Sequence, residues 1–181
     1  MNKLATVLLA VFSLFYPLLW YFGRDKGVFL WLAAAMAALW LLRAAMQKMP
    51  SQKIVSLLVA VFFVALLVWQ NQAAMYWYPV LVNGLMLALF GGSLFTQQSL
   101  VERLARLTEP DLPSAAVLYT RRVTQIWCIF FIINGSIAAI LYLANWLQAW
   151  AVYTGIVAYV LMGLLGGGEW LYRQYQRKKN P

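Results

Sequence analysis

Histidine is absent from the 181 residues, cysteine occurs once, and only five residues are Asp or Glu. Without histidine, no Ser/His/Asp or Cys/His nucleophilic set can form, and the commonest metal ligand is missing. Cys128 has no disulfide partner and no metal-ligand spacing. Lying within an apolar run, it reads as a small buried residue. Glu102, Glu109 and Asp111 match no hard-cation loop. No glycine loop of the Walker or dinucleotide type occurs either, because Gly166, Gly167 and Gly168 belong to an apolar run. These absences leave no cofactor, no metal site and no recognisable catalytic set, which argues against an enzyme; only chemistry built from Asp, Glu and Arg would remain.

What is present is apolar surface. Hydrophobic residues make up 64% of the chain and charged residues 10%, against about 45–50% and about 25% in soluble domains. A soluble fold would have too little polar surface to cover itself. Runs of ~20 apolar residues suit membrane helices, and six can be drawn: Leu4 to Phe22, Val28 to Met46, Ile54 to Trp69, Met75 to Phe95, Val123 to Trp146 and Trp150 to Tyr172. The expected fold is an all-α polytopic bundle, one integral membrane domain over residues 1–181. The third run is the shortest and the least secure as a span. The first resembles a signal peptide, but Trp20, Tyr21 and Phe22 occupy the place of a cleavage site. It is therefore expected to stay as an uncleaved span.

The net charge of +9 reflects membrane orientation rather than nucleic acid, because no basic face stands outside the apolar runs. One side collects Lys3, Arg43, Lys48, Lys53, Arg103, Arg106, Arg121, Arg122, Arg173, Arg177, Lys178 and Lys179; the other has only Arg24 and Lys26. The positive-inside rule then places both termini in the cytoplasm of a bacterial inner membrane. A polar segment, 96–122, is expected on that face. Within it, Ser99 and Glu102 have the spacing of a capping box. Leu100, Val101, Leu104 and Leu107 share one helical side, with Glu102, Arg103 and Arg106 on the other, so a short amphipathic helix should lie on the membrane surface.

Helices one to three, with few polar atoms, read as lipid-facing or structural, with a packing kink at Pro17. Small residues recur at helical spacing in the last three: Gly84, Ala88 and Gly92; Gly135 and Ala139; Gly163 and Gly167. Such faces let backbones approach closely in lipid, so helices four to six are expected to form the tight core, within one chain or in a homo-oligomer. Asn83 and Asn134 each precede a glycine inside a span. They either line a path for a polar head group or form a cross-helix amide hydrogen bond. Glu169 sits at a span end, where an ion pair with Arg121 or Arg122 would close helix five on helix six. Arg121 and Arg122, with Arg103 and Arg106, either bind a phosphate head group or partner or act as anchors.

Tyr78 to Asn83, Leu100 to Leu107, Glu109 to Pro113, Tyr119 to Thr124, Asn134-Gly135 and Gly168-Glu169-Trp170 together resemble an uncharacterised family of small bacterial inner-membrane proteins. Its members occur in gene clusters for fatty-acid-like, aryl polyene or xanthomonadin-type biosynthesis. The resemblance covers roughly the last hundred residues. More distantly, the layout of helices four to six is similar to the intracellular septation protein A family of envelope proteins. The resemblance implies a non-enzymatic accessory protein of envelope lipid or polyene metabolism, with the bilayer and acyl carrier or synthase proteins as partners. A small lipid transporter or flippase, or a septation protein, is the alternative.

Overall fold

The computed structural model describes residues 15–179, apart from the side chains of Lys26, Ser51 and residues 175–179. Most of the expected first span, and the turn before Pro17, lie outside the described residues. The described chain is built from helices and their connections, with no strand among the described residues. Residues 15–23 form α1; then come α2 (Phe29–Met46), α3 (Pro50–Trp69), α4 (Tyr78–Ser93), α5 (Leu100–Arg106), α6 (Ser114–Leu143), α7 (Leu147–Val152) and α8 (Ala158–Lys179).

The joints are set by local chemistry. Gly27 turns the chain into α2 with φ of 68°, a left-handed conformation that costs glycine little. Met49 is extended because it precedes Pro50, and the proline then opens α3, where its missing N–H is no loss. A 3-10 turn, Ala73–Trp77, leads into α4; the Asn71 side chain accepts from Ala74 N–H at 3.1 Å and starts that turn.

Five described segments are long and apolar enough to cross a membrane: Phe29–Met46, Gln52–Trp69, Ala73–Ser93, Ser114–Leu143 and Leu147–Gln174. Two helices start four or more residues before the sequence expectation. The helix of the least secure span, drawn from Ile54, begins at Pro50 and has 20 residues, a length of about 30 Å that matches the hydrocarbon core. Helix α6 begins at Ser114 rather than Val123 and has 30 residues, or about 45 Å. Hydropathy located only its apolar part. Pro113, extended at ψ 155°, ends the loop, and the helix-forming Ser114 to Leu118 stretch continues it upstream. Arg121 and Arg122 therefore lie within a helix, and the irregular part of segment 96–122 stops at Pro113.

The buried apolar cluster departs from the expectation that helices four to six alone form the tight core. It is built from α1, α2, α3, the 3-10 turn, the start of α4 and α7: Tyr16, Trp20, Ala33, Met36, Val59, Ala60, Phe63, Met75, Tyr76, Tyr78 and Trp150 are among its buried members. Of the two roles read for helices one to three, lipid-facing or structural, the second holds: they supply much of this core, together with Met75, Tyr76 and Tyr78 and with Trp150 and Ala151. Ala33 and Ala37 on α2 join Val59 and Ala60 on α3 within it, and a Tyr16–Tyr78 ring contact of 4.7 Å ties α1 to α4. In contrast, a Cβ added at Gly84, Gly92, Gly163 or Gly167 would meet nothing within 4 Å. Those two small-residue faces, with Ala88 exposed between the first pair, look outward. Of the glycines in the three stripes, only Gly135 is in close contact, its added Cβ falling 3.1 Å from the Asn83 Cβ. Cys128 is half-buried, facing Gly91.

Candidate intramembrane polar site

Helices α4 and α6 cross where Gly135 removes a side chain. There the buried Asn134 amide donates to the Asn83 side-chain oxygen at 3.0 Å. Asn83 Nδ2 donates to the Pro79 carbonyl at 2.8 Å, and the Tyr153 hydroxyl donates to Asn134 Oδ1 at 2.9 Å. Three segments are thereby linked through one polar chain. Of the two sequence readings for these asparagines, the cross-helix amide bond forms. Each amide nitrogen carries a second hydrogen beyond these bonds.

Tyr153 reaches this point because Tyr153–Val157 is a π-turn between α7 and α8. Such a turn admits one extra residue and changes which side chains face inward, a device common at functional sites. It is held in place by Thr154, whose hydroxyl donates to Trp150 O at 2.7 Å. Leu18 of α1 closes on it from the other side: a Cβ at Gly155 would lie 2.8 Å from Leu18 Cγ.

Beside the asparagine pair is a cavity of about 290 Å³, lined by polar and charged groups from Arg43, Asn83, Asn134, Thr154 and Tyr159 and by apolar Val82, Met86, Phe131, Ala158 and Met162. Trp40 and Pro17 also border it. Sequence reasoning found Asn83 and Asn134 but missed Arg43, Tyr153, Thr154 and Tyr159. The adjacent polar pair Tyr153-Thr154 inside an apolar run, just before Gly155, was the available signal.

The arginines of the polar segment 96–122 are tied into its architecture. Arg103 donates to Gln98 O at 3.1 Å and Thr96 Oγ1 at 2.8 Å. Arg106 pairs with Glu102 at 2.9 Å and donates to Pro110 O at 2.7 Å. Arg121 donates to Leu94 O at 2.7 Å, fastening α6 to the end of α4. Arg122 is exposed and lines a cavity with Glu169. The expected closure of Glu169 on Arg121 or Arg122 does not form: Glu169 faces Arg173, one turn along its own helix, at 3.6 Å. It also accepts from the Tyr119 hydroxyl at 3.4 Å, and that contact links α8 to α6. Arg121 is drawn away by the carbonyls at the end of α4.

Helix α5 is capped as expected, Ser99 Oγ accepting from Glu102 N–H at 3.4 Å. Its faces differ from the expectation on one point: Glu102 is buried beside Ala105, while Leu104 and Leu107 are exposed. Pairing with Arg106 lets Glu102 turn inward, where a lone carboxylate would be costly. No three or more of the described Cys, Asp or Glu side chains come together to hold a metal ion.

Apolar helices, a polar chain linking three of their segments and a basic surface segment define a polytopic helical membrane protein. Over 170 residues the chain is 31% identical to the inner membrane-spanning protein YciB of Erwinia tasmaniensis, covering 91% of both chains. It belongs to the family of that protein and is a protein of the inner membrane. This relative agrees with the resemblance to the intracellular septation proteins and lends none to the polyene-cluster resemblance. No family model matches the chain. No solved structure matches it.

Proposed function

We propose that this is a non-enzymatic lipid-handling protein of the bacterial envelope, of septation or envelope-biogenesis type, which holds a lipid-like molecule inside its helix bundle. The role is supported above all by the Asn83–Asn134–Tyr153 chain, whose two asparagines border the cavity of about 290 Å³. Polar groups at membrane depth are costly, and here they sit beside room for a ligand rather than within solid packing. Asn83 and Asn134 would position its polar end, while the apolar wall would accept its chain.

Mass spectrometry of protein extracted gently from its host tests this. A retained amphiphile is expected in the wild type and should be lost in Ala158→Phe, which fills the cavity. Lipid retention equal in both proteins would reject the role.

A second role, as an accessory to a fatty-acid-like or aryl-polyene pathway with an acyl carrier or synthase partner, is favoured by the cytoplasmic-face segment. There the exposed Leu104 and Leu107 of α5 and the exposed Arg122 offer an apolar and basic surface. Co-purification of such a partner, abolished by Arg122→Glu with Leu104→Glu, is the expected result.

A further inference from the structure

The wall of the cavity carries a cation without an anion. Arg43, in the last turn of α2, borders the cavity beside Trp40, its guanidinium carbon 5.3 Å from the Trp40 ring centre. The ion pairs among the described residues use Arg24, Arg106 and Arg173, and no Asp or Glu is among the residues lining the cavity. A guanidinium offers only donors, in a planar fork that fits two oxygens of one anion.

The indole of Trp40 points the same way. Trp40 is only 7% exposed, and its Nε1–H has no acceptor. Trp20 and Trp150 share that condition, but both are packed against Tyr76 and neither lines this cavity. Among the described residues, Trp40 alone combines an unpaired buried donor with a place on the cavity wall. A buried donor without an acceptor is uncommon and calls for a partner.

Resting on the lipid-handling role above, we propose that Arg43 and Trp40 bind the anionic group, carboxylate or phosphate, of the amphiphile. Second hydrogens on the Asn83 and Asn134 amides add donors nearby. The site is therefore donor-rich and positive, which selects an anion over a neutral or cationic head group. A volume of about 290 Å³ equals roughly ten molecules of liquid water at ~30 Å³ each. That accommodates a phosphate or carboxylate and the start of its chain; the remainder extends between helices into lipid. Met86 and Met162 suit chains of varied shape, because methionine adapts its contour.

The test uses the full chain in mixed micelles, with native mass spectrometry and tryptophan fluorescence reading binding. Phosphatidylglycerol, the neutral lipid diacylglycerol and inorganic phosphate are the probes. Phosphatidylglycerol is expected to bind about tenfold more tightly than diacylglycerol, as a charge-assisted contact allows. Arg43→Gln should erase that preference by weakening phosphatidylglycerol binding. Arg43→Lys should keep part of it, and Trp40→Phe should weaken it several-fold; these two decide the matter if Arg43→Gln fails to fold. Equal binding of the two lipids by the wild type with no Arg43-dependent binding of phosphate, or a preference surviving Arg43→Gln, would make Arg43 an interfacial anchor only and overturn the proposal. If both lipids bind equally and Ala158→Phe abolishes both, the lipid-handling role stands while the anion site falls. Binding of inorganic phosphate that depends on Arg43, without any preference between the lipids, would keep the anion site but assign it a free ion.

Discussion

Asn134 of α6 reaches Asn83 of α4 at 3.0 Å because its neighbour, Gly135, has no side chain where Asn83 approaches. The two residues of this Asn-Gly pair act together: glycine lets the helices close, and the amide then fixes their register. Either alone would be weaker, since lipid supplies no hydrophobic push between helices. Tyr153 completes the arrangement from a π-turn, so one polar chain decides how three elements meet.

Asn83→Leu and Asn134→Leu should each lower thermal stability, by about 1–2 kcal/mol. The double variant should lose less than the sum, because the second change removes a bond already broken. Thermal unfolding in detergent for the two single variants and the double measures the coupling. Strict additivity would mean that the amides act separately.

Glycine-to-alanine substitutions should separate the glycines by what they face. Gly155→Ala places a Cβ 2.8 Å from Leu18, and overpacking of this kind costs about 1–3 kcal/mol. Leu18→Ala in the same chain should recover part of the loss. Gly135→Ala meets Asn83 at 3.1 Å and should be destabilising and weaken the amide pair. Gly84→Ala and Gly163→Ala, with open space around them, should stay within about 0.5 kcal/mol of wild type. Melting temperatures of the four variants suffice.

The spans that the structure describes were readable from the apolar runs, and so was the importance of Asn83 and Asn134, because a polar residue in lipid stands out. The location of the core was not. In water, buried and exposed faces differ in polarity; in lipid both are apolar, so Leu58 on the outside and Val59 in the core are written in the same alphabet. Small residues were the substitute signal, and it pointed to outward faces at Gly84 and Gly163. The π-turn was equally hidden, since one extra residue in a helix leaves no mark in composition. Arg43 was read by its place at a span end, which fits an anchor and a cavity cation alike. Only the cavity wall, which draws residues from α2, α4, α6 and the π-turn, reveals what it borders.

The two ion pairs on the polar face should differ in strength. Glu102 is buried and meets Arg106 at 2.9 Å. Arg106→Ala leaves that carboxylate inside without a counter-charge, and a loss of about 2–3 kcal/mol is expected, below the ~3–5 of fully buried pairs because Arg106 is partly exposed. Arg106→Ala with Glu102→Leu should regain much of it. Glu169 and Arg173 lie 3.6 Å apart and are both more accessible, so Arg173→Ala should cost no more than about 1 kcal/mol. A larger effect at Arg173 than at Arg106 would invert this order.

Charge asymmetry yields an expectation about sidedness that labelling can check. Arg103, Arg106, Arg121 and Arg122 cluster toward the N-terminal end of α6, whereas the connection around Asn145 at its other end has no charge. The positive-inside rule places the first group in the cytoplasm. In a Cys128→Ser background, which removes the only native thiol, Gln97→Cys and Gln148→Cys put single thiols at exposed positions on the two sides of α6. An impermeant maleimide added to cells with a permeabilised outer membrane should label the thiol at 148 and spare that at 97. Opening the inner membrane should make both reactive. The opposite pattern in intact cells would reverse the orientation, and with it the assignment of α5 and Arg122 to the cytoplasmic face. Labelling of both thiols before the membrane is opened would mean that α6 does not cross it, despite 30 helical residues.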